Sequence, residues 1–514
     1  MTSVATDATL ARQRAAWLLP VVIVAVAAAV TSWAVAPYLV GVFHDDGVYA
    51  LLAQSIASGH GFHYSHLPGA PAATHYPPLY PLLLAAAWRI SPDFPENVTR
   101  LLALNVVFIS VAALGCWHFT AAQLAWSRRP AAVASLVATL ASPTLALASA
   151  LLSESLFLAL LWPALVASEQ TVASPHRPAL RTTGLLIGVL MLARTHAVAV
   201  AIALLLALAL RRRWRDALTL AAWMECVQLP WQLWSHWATP PVVTPLQGSY
   251  GSYLGWFASG VRAGGPPFVL ATARTNVAEC WLLLRDRLVI GASEPLVSMA
   301  AAITLIAIIA GAASFWRKAP VTILFVACYV VILLAWPYAP WRFLWCIWPL
   351  VLLLAFEGVR TLFSASSRWR IAVAVGAALP ALAVLRTELH SYATRAWRTP
   401  ALQASAQIAP ALAWVRAHTA GSDVVLVEGE QVVALYTGRH AAPPISFSAA
   451  EYLFPPDVKE GTARLSAMLA AVPARYAILF APAMISAANS LEGSHPGMRR
   501  VEMLPDGVAY EVVP

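Results

Sequence analysis

The chain has 514 residues, of which 60% are hydrophobic and only 11% are charged. A soluble protein carries about a quarter charged residues, so this composition cannot cover a water-facing surface with polar groups. It excludes an ordinary soluble protein and predicts that lipid surrounds most of the chain.

The basic residues indicate membrane topology rather than a surface for nucleic acid. The formal net charge is +9, and all but two of the 33 basic residues are arginines. They fall mainly in short segments between apolar runs. Arginine also suits phosphate recognition, because its planar fork bonds two oxygens at once. The five cysteines show no metal-ligand spacing, so neither a zinc site nor a disulfide framework is predicted.

Apolar runs predict an all-α polytopic membrane protein with about eleven transmembrane helices. The fifth and sixth runs are too short to span a bilayer alone, and we expect broken or shallow helices around Arg194. We place the helices near residues 17–36, 98–118, 130–148, 150–168, 183–193, 197–210, 217–235, 297–315, 320–337, 343–360 and 371–387.

Basic clusters predict the orientation of these helices. If the amino terminus is cytoplasmic, Arg128/Arg129, residues 211–215 and Arg317/Lys318 all fall on the cytoplasmic side. Two long loops, at residues 37–97 and 236–294, then lie on the outer face. We therefore predict a multi-pass protein of the cytoplasmic (inner) membrane, whose transmembrane domain comprises residues 1–387.

Residues 388–514 have a different character. Helical stretches at 402–418 and 459–471 alternate with strand-like runs at 424–427 and 476–480. This alternation predicts a small extracytoplasmic α/β domain.

The first loop begins with an acidic pair, Asp45 and Asp46, directly after the first apolar run. Two adjacent carboxylates at such a junction are costly unless they are solvated, cap a helix or take part in catalysis. One interpretation is that either aspartate caps the helix that follows. The other is that one of them is a catalytic base, and the residue types alone do not decide between the two.

Motifs along nearly the whole chain favour the catalytic interpretation. They are Asp45-Asp46 with Tyr49, Gly59 to Gly61, the His75 to Pro81 run with its Tyr-Pro-Pro, Leu152 to Leu156, Leu192 to Thr195, Tyr250 to Tyr253, Pro340 to Phe343, and Leu435 to Arg439. In this order they resemble the GT-C glycosyltransferases, in particular the protein O-mannosyltransferases and the lipid A aminoarabinose transferases. The chain departs from those relatives at His75, where many of them have lysine, so a titratable group replaces a fixed charge.

The resemblance implies an inverting glycosyltransferase. It would move a monosaccharide from a polyprenyl-phosphate carrier to a hydroxyl acceptor at the outer face of the membrane. Asp45 would be the general base, with Asp46 as the second choice or as its orienting neighbour.

The resemblance also implies a substrate-binding set. Arg194 and Arg342 would bind the phosphate, and Glu154 would orient an arginine or fix the first loop. The alternative for the arginines is snorkelling or an ordinary salt bridge, and for Glu154 a simple interfacial carboxylate. The remaining members of the set are Tyr49, His75 and Tyr76.

The implied partners are a polyprenyl-phosphate sugar donor, an acceptor that is a lipid, a glycan or a protein, and membrane lipids. Nucleic acid is not expected. A polytopic transporter or lipid flippase is the alternative, although the sequence lacks the inverted repeat of many transporters.

Histidines in the first loop raise the question of a metal. They have neither HxxxH nor HExxH spacing, so no metal ligand is predicted, and the loop does not decide whether a divalent cation is used. The histidines concerned are His44, His60, His63, His66 and His75.

Overall fold

The computed structural model describes residues 2–35, 38–174, 177–288, 293–365, 370–494 and 496–513. The predicted end of the first span at residue 36, the predicted loop start at residue 37 and residues 289–292 of the second predicted loop lie outside these ranges. Within the ranges the chain is mostly helical and ends in a small domain that contains one sheet. This confirms the predicted helical fold with a small C-terminal α/β domain.

Most of the described chain forms helices that precede the sheet domain. They are α1 (Thr2–Ala34), α2 (Asp45–Ala57), α3 (Leu79–Ile90), α4 (Val98–Ala122), α5 (Arg128–Thr139), α6 (Ser142–Ala148), α7 (Glu154–Ala173), α8 (Arg177–Ala193), α9 (Val198–Leu210), α10 (Trp214–Trp237), α11 (Gln247–Tyr250), α12 (Tyr253–Gly264), α13 (Pro266–Asp286), α14 (Glu294–Lys318), α15 (Pro320–Ala335), α16 (Trp341–Cys346), α17 (Trp348–Ala365) and α18 (Arg370–Thr394).

Each predicted apolar run coincides with one of these helices or with a bent pair of them. Among the described residues, four helices (α4, α7, α14 and α18) are long and apolar enough to cross a membrane, and the pair α5 and α6, bent by 58°, would make a fifth. The larger number of spans predicted from the sequence, and the domain boundary at residue 387, stay predictions. Helix α18 contains that boundary and continues to Thr394.

The predicted break around Arg194 is present. Helix α8 ends at Ala193, Arg194 has extended backbone angles (φ −153°, ψ 138°), and α9 begins at Val198. The break leaves the arginine at the end of a helix, where its side chain can reach groups from other helices.

Basic side chains gather at the helix ends opposite the sheet domain. The guanidinium groups of Arg211 and Arg213 donate to the carbonyls of Val172 and Thr171 at the end of α7. Cations at the C-terminal ends of helices satisfy carbonyls that have no partner within the helix. Lys318, at the end of α14, pairs with a buried carboxylate of α17 at 2.6 Å.

The C-terminal domain has a five-stranded mixed sheet with helices on its faces. The strand order is β2-β1-β3-β5-β4, in which β1 pairs in parallel with β2 and β3, and β5 is antiparallel to β3 and β4. The elements are α19 (Thr399–His418), β1 (Val424–Val427), α20 (Glu430–Thr437), β2 (His440–Ala442), α21 (Val458–Ala471), β3 (Tyr476–Leu479), α22 (Pro482–Asn489), β4 (Gly497–Leu504) and β5 (Gly507–Val513).

This domain packs directly on α2, the helix that begins with the acidic pair. A Cβ atom at Gly47 would overlap the Cβ of Gln431, and one at Gly41 would lie 2.9 Å from Val432. The absence of a side chain at Gly47 therefore allows α20 to lie against α2. The contact extends to the chain before α2, where the amide of Val40 donates to the hydroxyl of Tyr436 at 3.1 Å.

Replacement of Gly47 by alanine is expected to destabilise the protein, because the added methyl group must displace α20. Overpacking of this kind costs about 1–3 kcal/mol. Thermal unfolding of the purified protein in detergent, with limited proteolysis of the C-terminal domain, measures the effect.

Gly376→Ala is the matched control. Gly376 lies inside α18 with no atom within 4 Å of an added Cβ, so its replacement should stabilise the helix by about 0.5–1 kcal/mol or leave it unchanged. A Gly47→Ala protein that unfolds at or above the wild-type temperature would contradict the packing described here.

Candidate active site

A cavity of about 470 Å³ lies between the helix ends and the C-terminal domain. Segments far apart in the sequence form its wall, so the fold itself assembles it. Its lining residues are 43–45, 49, 75–77, 194–196, 248–249, 253, 256, 336, 338, 342–343, 428, 430, 443–447 and 451. Six of the predicted site residues are in this wall, and Asp46 and Glu154 lie behind it.

Asp45 is the carboxylate that faces the cavity. It is the first residue of α2, and its side chain is 22% exposed. Its Oδ1 accepts a hydrogen bond from the hydroxyl of Tyr76 at 2.7 Å. Its Oδ2 lies 2.6 Å from a guanidinium nitrogen of Arg342. Both carboxylate oxygens are therefore held in place by side chains of other segments.

Glu154 holds the two predicted phosphate-binding arginines together. It is the first residue of α7 and is fully buried. Its Oε1 accepts from Nε of Arg342 at 2.6 Å, and its Oε2 lies 2.8 Å from Nη1 of Arg194. Nη2 of Arg342 is buried and has no hydrogen-bond partner within the described part of the chain. We call Asp45, Glu154, Arg194 and Arg342 the charge cluster.

Opposing effects set the pKa of Asp45. Burial acts to raise it, but the positive charge of Arg342, assisted by His44 and by the hydrogen bond from Tyr76, lowers the pKa of Asp45 to about 2. Asp45 is therefore ionised over the whole physiological pH range, and its basicity depends on Arg342.

Asp46 has a different environment. It is completely buried, and its carboxylate accepts from the backbone amides of Gly41 and Phe43 at 2.9 and 3.0 Å. Burial raises the pKa of Asp46 to about 6, although these backbone donors act against the rise. The N-cap position of α2 belongs to His44, so neither aspartate caps this helix. Asp46 thus orders the turn before α2 and does not line the cavity.

The predicted aromatic residues support the charge cluster. Tyr49 hydrogen-bonds Ser153 at 2.9 Å, and the hydroxyl of Ser153 also accepts from Arg194 at 2.9 Å. Nδ1 of His75 donates to the carbonyl of Gly251. Burial lowers the pKa of His75 to about 4, so this histidine is neutral at pH 7 and does not supply the positive charge of the lysine it replaces.

The five histidines of the first loop do not converge. His60 is exposed and His63 is half-buried, whereas His66 is buried against Tyr250, with its Nε2 3.1 Å from the hydroxyl. Among the described residues, no group of three His, Cys, Asp or Glu side chains is placed to hold a metal ion.

Sequence reasoning missed two parts of the cavity. One is an aromatic wall in which Trp256 lies 5.1 Å from Trp336 and 5.6 Å from Phe447, measured between ring centroids. The other is the edge supplied by the C-terminal domain, which includes the buried Glu430. No local sequence signal marks these residues, because only the packing of the domain brings them to the cavity.

The fold and the site define a helical membrane-protein class with a C-terminal α/β domain, and solved structures share this architecture. The structure of ArnT from Cupriavidus metallidurans bound to undecaprenyl phosphate matches 96% of this chain and 98% of its own, with a TM-score of 0.54 and 14% identity. ArnT in the apo state matches 97% and 98%, with a TM-score of 0.51 and 14% identity. The chain shares the overall fold of these structures, as the resemblance to lipid A aminoarabinose transferases predicted. No protein-family model and no curated protein sequence matches the chain.

Replacement of Glu154 by glutamine is expected to destabilise the protein strongly. The change leaves two adjacent guanidinium groups without the carboxylate that neutralises them, and loss of one partner from a buried pair costs about 3–5 kcal/mol. The midpoint of thermal unfolding in detergent should fall accordingly.

Glu96→Gln serves as the control, since Glu96 is an exposed carboxylate in the same part of the protein. It should change stability by less than about 0.5 kcal/mol. Equal stability of the two variants would mean that Glu154 does not neutralise the arginines.

Proposed function

We propose that the chain is a glycosyltransferase that moves a monosaccharide from a polyprenyl-phosphate carrier to a hydroxyl acceptor. The observation that carries the proposal is the charge cluster, in which two adjacent guanidinium groups lie beside the cavity-facing carboxylate of Asp45. Paired arginines fit an anionic phosphate, and a neighbouring carboxylate fits removal of a hydroxyl proton. The shared fold supports this, since one neighbour was solved with undecaprenyl phosphate.

The proposed reaction is a single displacement that inverts the anomeric carbon. Asp45 takes the proton of the acceptor hydroxyl while its oxygen attacks that carbon. The bond from the carbon to the phosphate oxygen breaks, and its electron pair leaves with the polyprenyl phosphate. A positioned general base contributes about 10²–10⁴-fold to such a step.

Arg194 and Arg342 stabilise the charge that develops on the departing phosphate. Both line the cavity, and Glu154 holds them in place before the substrate binds. Donors that are already oriented need no reorganisation as the charge develops.

The other predicted residues position this machinery. Tyr76 fixes the orientation of Asp45, and Tyr49 acts through Ser153 on Arg194. His75, which is neutral, ties the first loop to the segment before α12. Asp46 has the orienting role, because its carboxylate organises the turn that presents Asp45.

The proposal includes a place in the cell. We infer a multi-pass protein of the cytoplasmic membrane with the cavity and residues 388–514 on the outer face. The basic side chains at the opposite helix ends support this orientation, because cytoplasmic segments are enriched in Arg and Lys. A carrier with a polyprenyl tail would then reach the charge cluster from the bilayer.

The substrates are proposed only as classes. The donor is a polyprenyl-phosphate monosaccharide such as mannose, glucose or an arabinose derivative, and the acceptor is a hydroxyl of a lipid, a glycan or a protein. The aromatic wall fits the apolar face of a sugar ring, and polar groups across the cavity fit its hydroxyls.

Asp45→Asn is expected to lower transfer by about 10²–10⁴-fold, because asparagine cannot take the hydroxyl proton. The assay incubates purified protein with a panel of polyprenyl-phosphate sugars and acceptors, and measures release of the carrier phosphate and glycosylation of the acceptor. Asp93→Asn, a change at an exposed loop position, is the matched control.

The same assay separates the transferase from a transporter or lipid flippase. A transferase releases polyprenyl phosphate in proportion to the glycosylated product, whereas a transporter moves its cargo intact. Release that is unchanged in Asp45→Asn would remove Asp45 as the base.

The pH dependence of transfer should depend on Arg342. Since the pKa of Asp45 is about 2, protonation of Asp45 should not lower the wild-type kcat/KM at any pH above about 4. Removal of the guanidinium in Arg342→Gln leaves burial as the main effect. The pKa of Asp45 should then rise by roughly 1–3 units, and residual activity should fall at a correspondingly higher pH.

Arg500→Gln, a change on the exposed face of β4, should keep the wild-type profile. If the acid side of the profile were the same in Arg342→Gln as in the wild type, the ion pair would not control the basicity of Asp45.

A further inference from the structure

His44, the residue before the proposed base, has a backbone conformation that few residues adopt. Its φ is 62° and its ψ is −69°. The amide of Asp45 donates to the carbonyl of Phe43 at 2.8 Å. These angles with this hydrogen bond define a γ-turn of the rare, strained kind. Such strain persists only where the surroundings hold the residue, and it clusters at functional sites.

The C-terminal domain holds the imidazole of His44. Nε2 of Gln431 lies 2.7 Å from Nδ1 of His44 and 2.8 Å from a carboxylate oxygen of Glu430. That carboxylate also accepts from the hydroxyl of Tyr250 at 2.7 Å. Glu430 and Gln431 are both buried. The first residues of α20 thus form part of a hydrogen-bond network around the cavity.

These contacts determine which ring nitrogen of His44 carries the proton. Oε1 of Glu430 already acts as an acceptor for the hydroxyl of Tyr250, so the amide nitrogen of Gln431, not its oxygen, faces Glu430. The same nitrogen lies 2.7 Å from Nδ1 of His44 and 3.0 Å from the hydroxyl of Tyr250. An amide has two N–H groups, and its two shortest contacts assign them to Glu430 and to Nδ1 of His44. A ring nitrogen that accepts has no proton, so the ring proton is on Nε2.

The Nε2–H group of His44 is available to a ligand. The side chain is 40% exposed and lines the cavity. Within the described part of the chain, Nε2 makes no hydrogen bond. The adjacent residue is Asp45, so a hydrogen-bond donor and the proposed base belong to consecutive residues of the cavity wall.

We propose that Nε2–H of His44 donates a hydrogen bond to a hydroxyl oxygen of the bound substrate, and that Gln431 fixes the tautomer that makes this possible. The inference rests on the proposed function. The hydroxyl belongs either to the sugar of the donor or to the acceptor. His44 is then a substrate-contacting residue, and Gln431 is a positioning residue that acts through it.

Three substitutions of His44 separate donation to the substrate from anchoring to the domain. The amide nitrogen of glutamine reaches about as far as Nε2 and can replace its N–H. Asparagine reaches only as far as Nδ1, so it can keep the contact with Gln431 but not the donor. Alanine removes both contacts.

The assay uses the full-length protein with the donor and acceptor that the wild type converts. His44→Ala and His44→Asn should each lower kcat/KM about tenfold, as for a lost hydrogen bond to an uncharged group, whereas His44→Gln should stay within about threefold. A rise confined to the KM of the donor assigns the hydroxyl to the sugar, and a rise confined to the KM of the acceptor assigns it to the acceptor. Thermal unfolding of each variant separates these effects from loss of fold.

Gln431→Met tests the positioning role, because methionine has a similar shape but no N–H. It should lower kcat/KM about threefold to tenfold in the wild-type background. It should have little further effect when combined with His44→Gln, since glutamine has no tautomers. His60→Ala, at an exposed histidine of the same loop, is the control and should be neutral.

The inference would be overturned if His44→Ala had the wild-type kcat/KM. It would also be overturned if His44→Asn had the wild-type kcat/KM while His44→Gln lost about tenfold. In both cases the wild type and Asp45→Asn still report on the proposed function. A stable wild-type protein that transfers no sugar from any donor of the panel would overturn the proposed function and this inference with it.

Discussion

The rest of the site depends on one buried carboxylate, Glu154, which lies between two guanidinium groups. Arginines near the apolar part of a membrane protein are costly unless their charge is neutralised, and mutual repulsion adds to the cost when they are neighbours. Glu154 forms ion pairs with both guanidinium groups through different oxygens, at 2.6 and 2.8 Å. It thereby fixes the start of α7, the break between α8 and α9, and α16 relative to one another. Asp45 then adds the beginning of α2 through Arg342.

The second constraint is the contact between α2 and α20. Gly47 lets the two helices approach until Glu430 reaches the cavity and Gln431 contacts His44. Because α2 begins with Asp45, the C-terminal domain and the charge cluster contact the same short helix from different sides. The domain is consequently part of the cavity wall. The position of the C-terminal domain is therefore linked to the geometry of Asp45 through a few residues of α2 and α20.

Local patterns were enough to predict the apolar helices, the break at Arg194 and two of the five strands of the C-terminal domain, β1 and β3, because apolar periodicity and turn residues act over a few neighbours. The strands β2, β4 and β5 were not predicted. The ordered motifs predicted Asp45 as the base and Glu154, Arg194 and Arg342 as substrate-binding residues, although two of the three contacts among them join residues more than a hundred positions apart. The different environments of Asp45 and Asp46 could not be predicted. Adjacent residues of a helix point in different directions, and burial of one depends on the fold. The contribution of Glu430 and Gln431 depends on domain packing, which leaves no mark in the local sequence.

The ion pair between Asp45 and Arg342 creates a conflict that the proposed substrate resolves. A carboxylate with a pKa of about 2 is a weak base. The guanidinium that lowers this pKa is also one of the two proposed phosphate ligands. Under the proposed mechanism, a phosphate that contacts Arg342 adds negative charge beside Asp45 and competes for the same nitrogen atoms. Both effects raise the pKa of Asp45. The base therefore becomes stronger only when the donor is bound, so that binding of the carrier and activation of the acceptor hydroxyl are coupled through one arginine.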